Sequence, residues 1–167
     1  MLKEDMWTID EDASTELEVR ELLAALVRTL KPTLVVETGC YLGRATKAMG
    51  LALSKNGMGS LVSCDTDPEM VARAFHTCEE LPVEVRLCRG IDLPELREAD
   101  LVFLDSDYAW RRAEFVLVKP GAIVIIHDTR ISYDAAVPPH EGWVREQGGI
   151  MFDTYRGLGI MRKATGP

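Results

Sequence analysis

Acidic residues close the apolar runs of this chain. TLVVE, LVSCD, LVFLD and AIVIIHD end on Glu37, Asp65, Asp105 and the pair His127 and Asp128, and Ile91 and Asp92 follow VEVRLC within a few residues. Chance would scatter carboxylates over helix surfaces. Lined up at the ends of buried strands, they can accept hydrogen bonds from a hydroxyl-rich ligand, face a cation, or take a proton from a reacting group. After the first run comes TGCYLG, in which Gly39 and Gly43 frame Cys40, Tyr41 and Leu42. A dinucleotide would ask for GxGxxG, because its pyrophosphate must meet bare backbone and a helix N-terminus. The pattern here is ExGxxxG. An acid at the glycine turn suits a ligand carrying ammonium and sulfonium groups better than one carrying two phosphates.

Such residues must be held by a regular frame, and the chain supplies one. Thr15 and Glu18 have the spacing of a capping box, and Leu17, Leu22, Leu23, Leu26, Val27 and Leu30 recur at helical intervals until Pro32. Strand and helix patterns then alternate: TLVVE, a helix from Gly43 to Ser54, LVSCD, a helix from Pro68 to Glu79, VEVRLC, a short LPELREA connection, LVFLD, a helix from Ala109 to Leu117, and AIVIIHD. Continuous apolar strands separated by helices are what a parallel sheet covered on both faces requires. The expected fold is a doubly wound, Rossmann-like α/β sandwich of three layers. Beyond Thr129 the alternation stops, WVREQ reads as a short helix, and GGIMFDTYRGLGIMRK reads as a terminal β-hairpin that finishes the sheet with an antiparallel strand.

At 167 residues the chain has room for one domain: a lead-in helical segment (1–31), a ligand-binding core (32–128), a lid or connector (129–148) and the hairpin (149–163). A net charge of −8, with basic residues scattered along the chain, gives no clear nucleic-acid signal, since counterion release needs a concentrated basic surface. No stretch approaches the roughly 20 apolar residues of a membrane span, and the acidic N-terminus lacks a signal-peptide core, so a cytoplasmic location is expected. Cys40, Cys64, Cys78 and Cys88 lack zinc spacing and read as reduced thiols, three of them buried.

Open α/β sheets bind ligands beyond the carboxyl ends of their strands. There Gly39 lets backbone approach a ligand, and Asp65 can hold ribose hydroxyls with both carboxylate oxygens. Together with the acid of the glycine turn, this describes S-adenosyl-L-methionine. The chain resembles the class I S-adenosylmethionine-dependent methyltransferases from about Pro32 onward. VVETGCYLGRAT is similar to the family's first motif, LVSCDTDP to its second-strand acid, RGID to the adenine-side loop and LVFLDSDY to its fourth motif. VKPGAIVIIHDT and GLGIM resemble the small O-methyltransferase and cephalosporin-hydroxylase-like branch. The resemblance implies a methyltransferase acting on a hydroxyl of a small-molecule acceptor. Glu37 and Gly39 would face the methionine part of the cofactor, with Thr38, Cys40 and Tyr41 lining that loop and Gly43 closing it. Asp65 would hold the ribose between Thr66 and Asp67, Ile91 and Asp92 would approach the adenine, and Asp105 would sit beside the transferred methyl.

Metal-dependent members of this family bind a divalent cation with acids at the ends of the fourth and fifth strands, where this chain has Asp105 and Asp128. Mg²⁺ on these residues, with Asp107, is therefore one expectation and unassisted transfer the other. The catechol-type pattern has a lysine and an asparagine where this chain has Tyr108 and Thr129. His127 has the chemistry of a general base, although strand alternation sets it opposite Asp128 and a histidine there equally serves as a satisfied structural residue. Tyr108 and Trp110 either stack on an acceptor or anchor the next helix. With so little chain outside the core, the acceptor site is either open or completed by a second subunit, a homo-oligomer. Two other readings keep the fold: a nucleotide-dependent oxidoreductase, which lacks its GxGxxG, and a non-catalytic interaction module.

Overall fold

A computed structural model describes residues 7–9, 14–131 and 137–165. The lead-in helix α1 (Leu17–Leu30) buries Val19, Leu23 and Val27, the stripe its periodicity predicts. The predicted capping box does not form. Glu18 instead accepts hydrogen bonds from the backbone N–H and hydroxyl of Thr8 (3.2 and 3.0 Å), and the Thr15 hydroxyl turns to Asp105 (3.4 Å). At the other end Lys31 takes a left-handed conformation (φ 49°) and its N–H closes on Val27, after which Pro32 bars further helix.

Parallel strands and covering helices then follow in the order the apolar runs predict: β1 (Leu34–Thr38), α2 (Arg44–Asn56), β2 (Ser60–Asp65), α3 (Pro68–Thr77), β3 (Val83–Leu87), β4 (Leu101–Leu104), α4 (Arg111–Leu117) and β5 (Ile123–Ile126). Two single-turn 3₁₀ segments, Gly90–Asp92 and Pro94–Arg97, replace a helix between β3 and β4. Helix α3 starts cleanly because Pro68 presets its first turn and the Asp67 side chain accepts from the Glu69 N–H at 2.8 Å. After the segment 132–136, which lies outside the described residues, come α5 (His140–Glu146), β6 (Ile150–Phe152) and β7 (Leu158–Arg162).

All seven strands form one sheet, ordered β3-β2-β1-β4-β5-β7-β6. The terminal hairpin is present and finishes the sheet with antiparallel strands: β7 inserts between β5 and β6, antiparallel to both, and the short β6 forms the edge. Alternation on the central strands feeds two cores. Val35, Leu61, Phe103 and Ile125 pack against α1 and α2, whereas Val36, Val102, Leu104 and Ile126 pack with Phe115 and Val144 of α4 and α5 on the other face. These are the three layers expected of a doubly wound α/β fold. Among the described residues no helix is long and apolar enough to cross a membrane.

Strand order reverses at β1, which has β2 on one side and β4 on the other. Gly39 leaves β1 with φ +84°, and a Cβ there would lie 2.3 Å from the carbonyl oxygen of Asp105, so only glycine lets the β1 and β4 loops close on one another. Gly43 serves a different contact. With φ +75°, a Cβ on it would stand 2.8 Å from Cα of Ala74, so its role is to seat α2 on α3. Gly43→Ala is expected to cost about 1–3 kcal/mol through strain and overlap; urea unfolding measures it, and an unchanged midpoint would refute this packing role.

Candidate active site at the carboxyl edge of the sheet

Beyond the strand ends lies a cleft of about 390 Å³, within the usual size of small-molecule sites. It is lined by Gly39 and Tyr41 after β1, by Asp65 and Thr66 after β2, and by Asp105, Ser106 and Asp107 after β4. Trp110, Arg89, Gly90, Asp128 and Arg156 complete the lining. Of the residues singled out in the sequence, Gly39, Tyr41, Asp65, Thr66, Asp105 and Asp128 therefore meet at one place.

Asp65 is held for binding. Its Oδ2 accepts from the Tyr41 N–H (2.9 Å) and its Oδ1 from the Asp67 N–H (3.1 Å), which fixes the carboxylate plane at the cleft wall while each oxygen keeps a lone pair. Trp110 is 43% exposed, with the Arg89 guanidinium 5.7 Å from its ring centroid, so a flat apolar face borders the cleft. Tyr108 does not share that role. It is buried, stacks on His140 at 3.9 Å and donates to the Pro138 carbonyl, thereby anchoring α5. The segment treated as a lid or connector is thus docked by α5 where it is described, and burial pushes the His140 pKa down to about 4.

Several expected contacts are placed elsewhere. Glu37 has none of its surface exposed and sits beneath the glycine loop, where one oxygen accepts from Thr46 and Ser63, each at 2.5 Å. Burial lifts its pKa to about 7, the two hydroxyls pulling the other way. It braces β1, β2 and α2 from below. Thr38 is likewise buried and donates to Glu114 (2.9 Å), and the Asp67 side chain is spent on capping α3. Cys40 lines a small recess beside the cleft and its thiol is pushed far up, chiefly by burial. Asp92 is exposed and paired with Arg89 (2.8 Å), so Arg89 and Gly90, and not Ile91 and Asp92, border the cleft. Cys40, Cys64 and Cys78 are buried free thiols, as expected.

The inner end of the cleft holds a cluster of charged groups. His127 is completely enclosed: Nε2 lies 2.7 Å from Glu16 Oε2, and Nδ1 lies 3.1 Å from Asp105 Oδ1 and 3.3 Å from Asp128 Oδ1. Alternation had put His127 and Asp128 on opposite faces. It fails because β5 ends at Ile126 and Asp128 turns back with φ 51°. Burial alone would lower the His127 pKa, but Asp105, Glu16 and Asp128 outweigh it and raise the value to about 10. Glu16, which burial would raise, is instead held at about 2 by His127 and Arg156. An imidazolium hydrogen-bonded through both nitrogens is a charge centre; it has no free nitrogen for a general base. Arg111 Nη2 stands 3.4 Å from Asp105 and 3.5 Å from Asp128, with Nε donating to the Ser106 carbonyl (2.7 Å) and Nη1 to the His127 carbonyl (2.5 Å). Arg156, from the hairpin, pairs with Asp128 (3.2 Å) and donates to the Ser14 carbonyl (2.5 Å).

Asp105, His127 and Asp128 have the spread of a metal site, with one ligand atom from each lying within 4.8 Å of the others. The donor set does not fit Mg²⁺. That ion needs oxygens at about 2.1 Å and keeps several waters, while Arg111 lies within 3.5 Å of both carboxylates and Arg156 takes the other side of Asp128. Sequence reasoning missed Glu16, Arg111, Glu114 and Arg156; none stands in a motif.

Comparisons with known proteins fit this geometry. A family model described as "Methyltransferase domain" matches residues 36–129, and the chain belongs to that family. Among solved structures, the O-methyltransferase TomG from Streptomyces achromogenes, in complex with SAM, is 18% identical with a TM-score of 0.73, covering 92% of this chain and 83% of that one. The O-methyltransferase from Bacillus cereus in complex with SAH (18%, TM-score 0.72, 90% and 82%) and the SAH-bound methyltransferase PaMTH1 from Podospora anserina (18%, 0.69, 90% and 80%) are also similar in fold. No curated protein matches the chain in sequence.

The cluster predicts a pH signature. With a folded pKa near 10 against an ordinary 6.5, His127 contributes stability that is complete below about 6.5 and is lost as pH rises through 10; Glu16 contributes above about 4.5 and is lost as pH falls toward 2. Unfolding free energy should thus decline between pH 7 and 10 with a slope approaching one proton, about 1.4 kcal/mol per pH unit. His127→Gln should remove that component. Equal slopes in the two proteins would contradict a charged His127.

Proposed function

We propose that this protein is an S-adenosylmethionine-dependent methyltransferase acting on a hydroxyl of a small molecule. The observation that carries the reading is Asp65: a strand-end carboxylate, its plane fixed by two backbone N–H groups, facing a cleft at the point where strand order reverses. Such a group accepts from paired ribose hydroxyls, as it would in the Rossmann-type sites that share this topology. Family membership and the SAM- or SAH-bound fold relatives support the same cofactor.

The residues present fit that cofactor. Trp110 offers a face for a flat base, Asp65 acceptors for a ribose, and Gly39 bare backbone beside the β4 loop. When bound, S-adenosylmethionine would supply a methyl group on a sulfonium leaving group. The chain's own part is to orient and to exclude water, which is where an enzyme gains most in an in-line displacement. Asp105 and Asp128 can accept a hydrogen bond from an acceptor hydroxyl, and the stretch Ser14 to Glu16 holds the residues behind them, Thr15 donating to Asp105, Glu16 meeting His127 and the Ser14 carbonyl accepting from Arg156. The hydroxyl preference rests on these acceptors and on the O-methyltransferase relatives.

Calorimetric titration with S-adenosylhomocysteine is expected to give about micromolar affinity, weakened 10- to 100-fold by Asp65→Ala, the loss of one or two hydrogen bonds to a charged group. Absence of heat with wild-type protein would defeat the proposal.

A further inference from the structure

We propose that Arg111 and Arg156 are the resident cations of this site, so that Asp105 and Asp128 work as an arginine-neutralised pair that excludes divalent metal. The idea deepens the methyl-transfer reading and rests on it for what the cleft does. Its support is geometric. Two carboxylates converging at the ends of neighbouring parallel strands repel one another and need positive charge between them. Arg111 supplies it from α4, and it cannot swing aside cheaply: it is 4% exposed, and withdrawing it would leave the Ser106 and His127 carbonyls without their donors. Arg156 approaches Asp128 from the opposite side, tied to the Ser14 carbonyl and 3.7 Å from Glu16.

Charge balance points the same way. Glu16, Asp105 and Asp128 already face Arg111, Arg156 and His127. A divalent ion would have to displace a guanidinium that is itself fixed by backbone oxygens. A planar guanidinium also holds two carboxylates at fixed orientation without water ligands. For an acceptor this changes the chemistry: its hydroxyl would meet carboxylate acceptors beside fixed cations, with no metal to lower its pKa. Hydroxyls already acidic, such as phenolic ones, are the class best served.

Manganese binding tests this without turnover. Titration of wild-type protein with Mn²⁺ up to about 1 mM, the weak end for oxygen-ligand sites, followed by loss of the free-ion electron paramagnetic resonance signal, should show no bound ion. Replacing both guanidinium groups while keeping amide donors, in Arg111→Gln/Arg156→Gln, should give one bound Mn²⁺ per chain, and adding Asp128→Asn should abolish it. A wild-type site lost on Asp128→Asn overturns the proposal, as does a folded double variant that binds none. Should the double variant not fold by circular dichroism, wild type decides alone, with bound Mn²⁺ refuting and its absence supporting. Failure of S-adenosylhomocysteine to bind would defeat the methyl-transfer reading and leave the manganese result standing.

Discussion

Three carboxylates are brought together at the carboxyl ends of β4 and β5 and beneath the segment before α1, and burying them there is tolerable only if each finds a cation. The His127 ring meets all three, with Glu16 on one nitrogen and Asp105 and Asp128 on the other. Much of the molecule answers to that demand. Helix α4 begins at Arg111, the hairpin before β7 delivers Arg156, and the residues before α1 run across the strand ends so that Glu16 reaches inward. Breaking one member would strand a charge in the interior at a cost of about 3–5 kcal/mol. The cluster therefore ties the two ends of the chain to the centre of the sheet.

The part of the cleft around Asp65 is built on another principle. Asp65 is braced by backbone alone, and Gly39 is pressed against the Asp105 carbonyl, so both depend on main-chain geometry at the reversal of strand order. Glu37 supports this half from beneath by drawing Thr46 and Ser63 together. One half thus offers fixed backbone and a single presented carboxylate, the other a neutralised block of charge. A positively charged ligand would be drawn to the first half, and the balance of the second keeps those acids from acting as a bare anionic sink for ions.

The frame was legible in the sequence because it is periodic. Strands buried on both faces must be apolar throughout, so TLVVE, LVSCD, LVFLD and AIVIIHD mark themselves, and the covering helices mark themselves by their stripes. Asp65 was legible for the same reason: it ends such a run. Glu37 ends one too, yet it points inward, since side-chain direction at a strand end alternates and composition does not report the phase. Gly43 looked like part of a ligand loop because a glycine needed for helix contact with Ala74 and one needed for a ligand leave the same letter. The capping box failed on a competing partner, Thr8.

What the sequence could not reveal is which arginines complete the charge cluster. Arg111 and Arg156 are separated by most of α4, β5, α5 and β6, and each sits in an unremarkable local context. Their pairing with Asp105 and Asp128 arises only when β7 inserts beside β5 and brings the hairpin turn over the strand ends. The pair of acids alone reads as a metal site; the same acids with two guanidinium groups between and beside them read as a closed electrostatic unit. Since a cation site is defined as much by the positive charge already present as by the ligands that could surround it, its identity is a property of the tertiary fold, and no motif at β4 or β5 could have carried it.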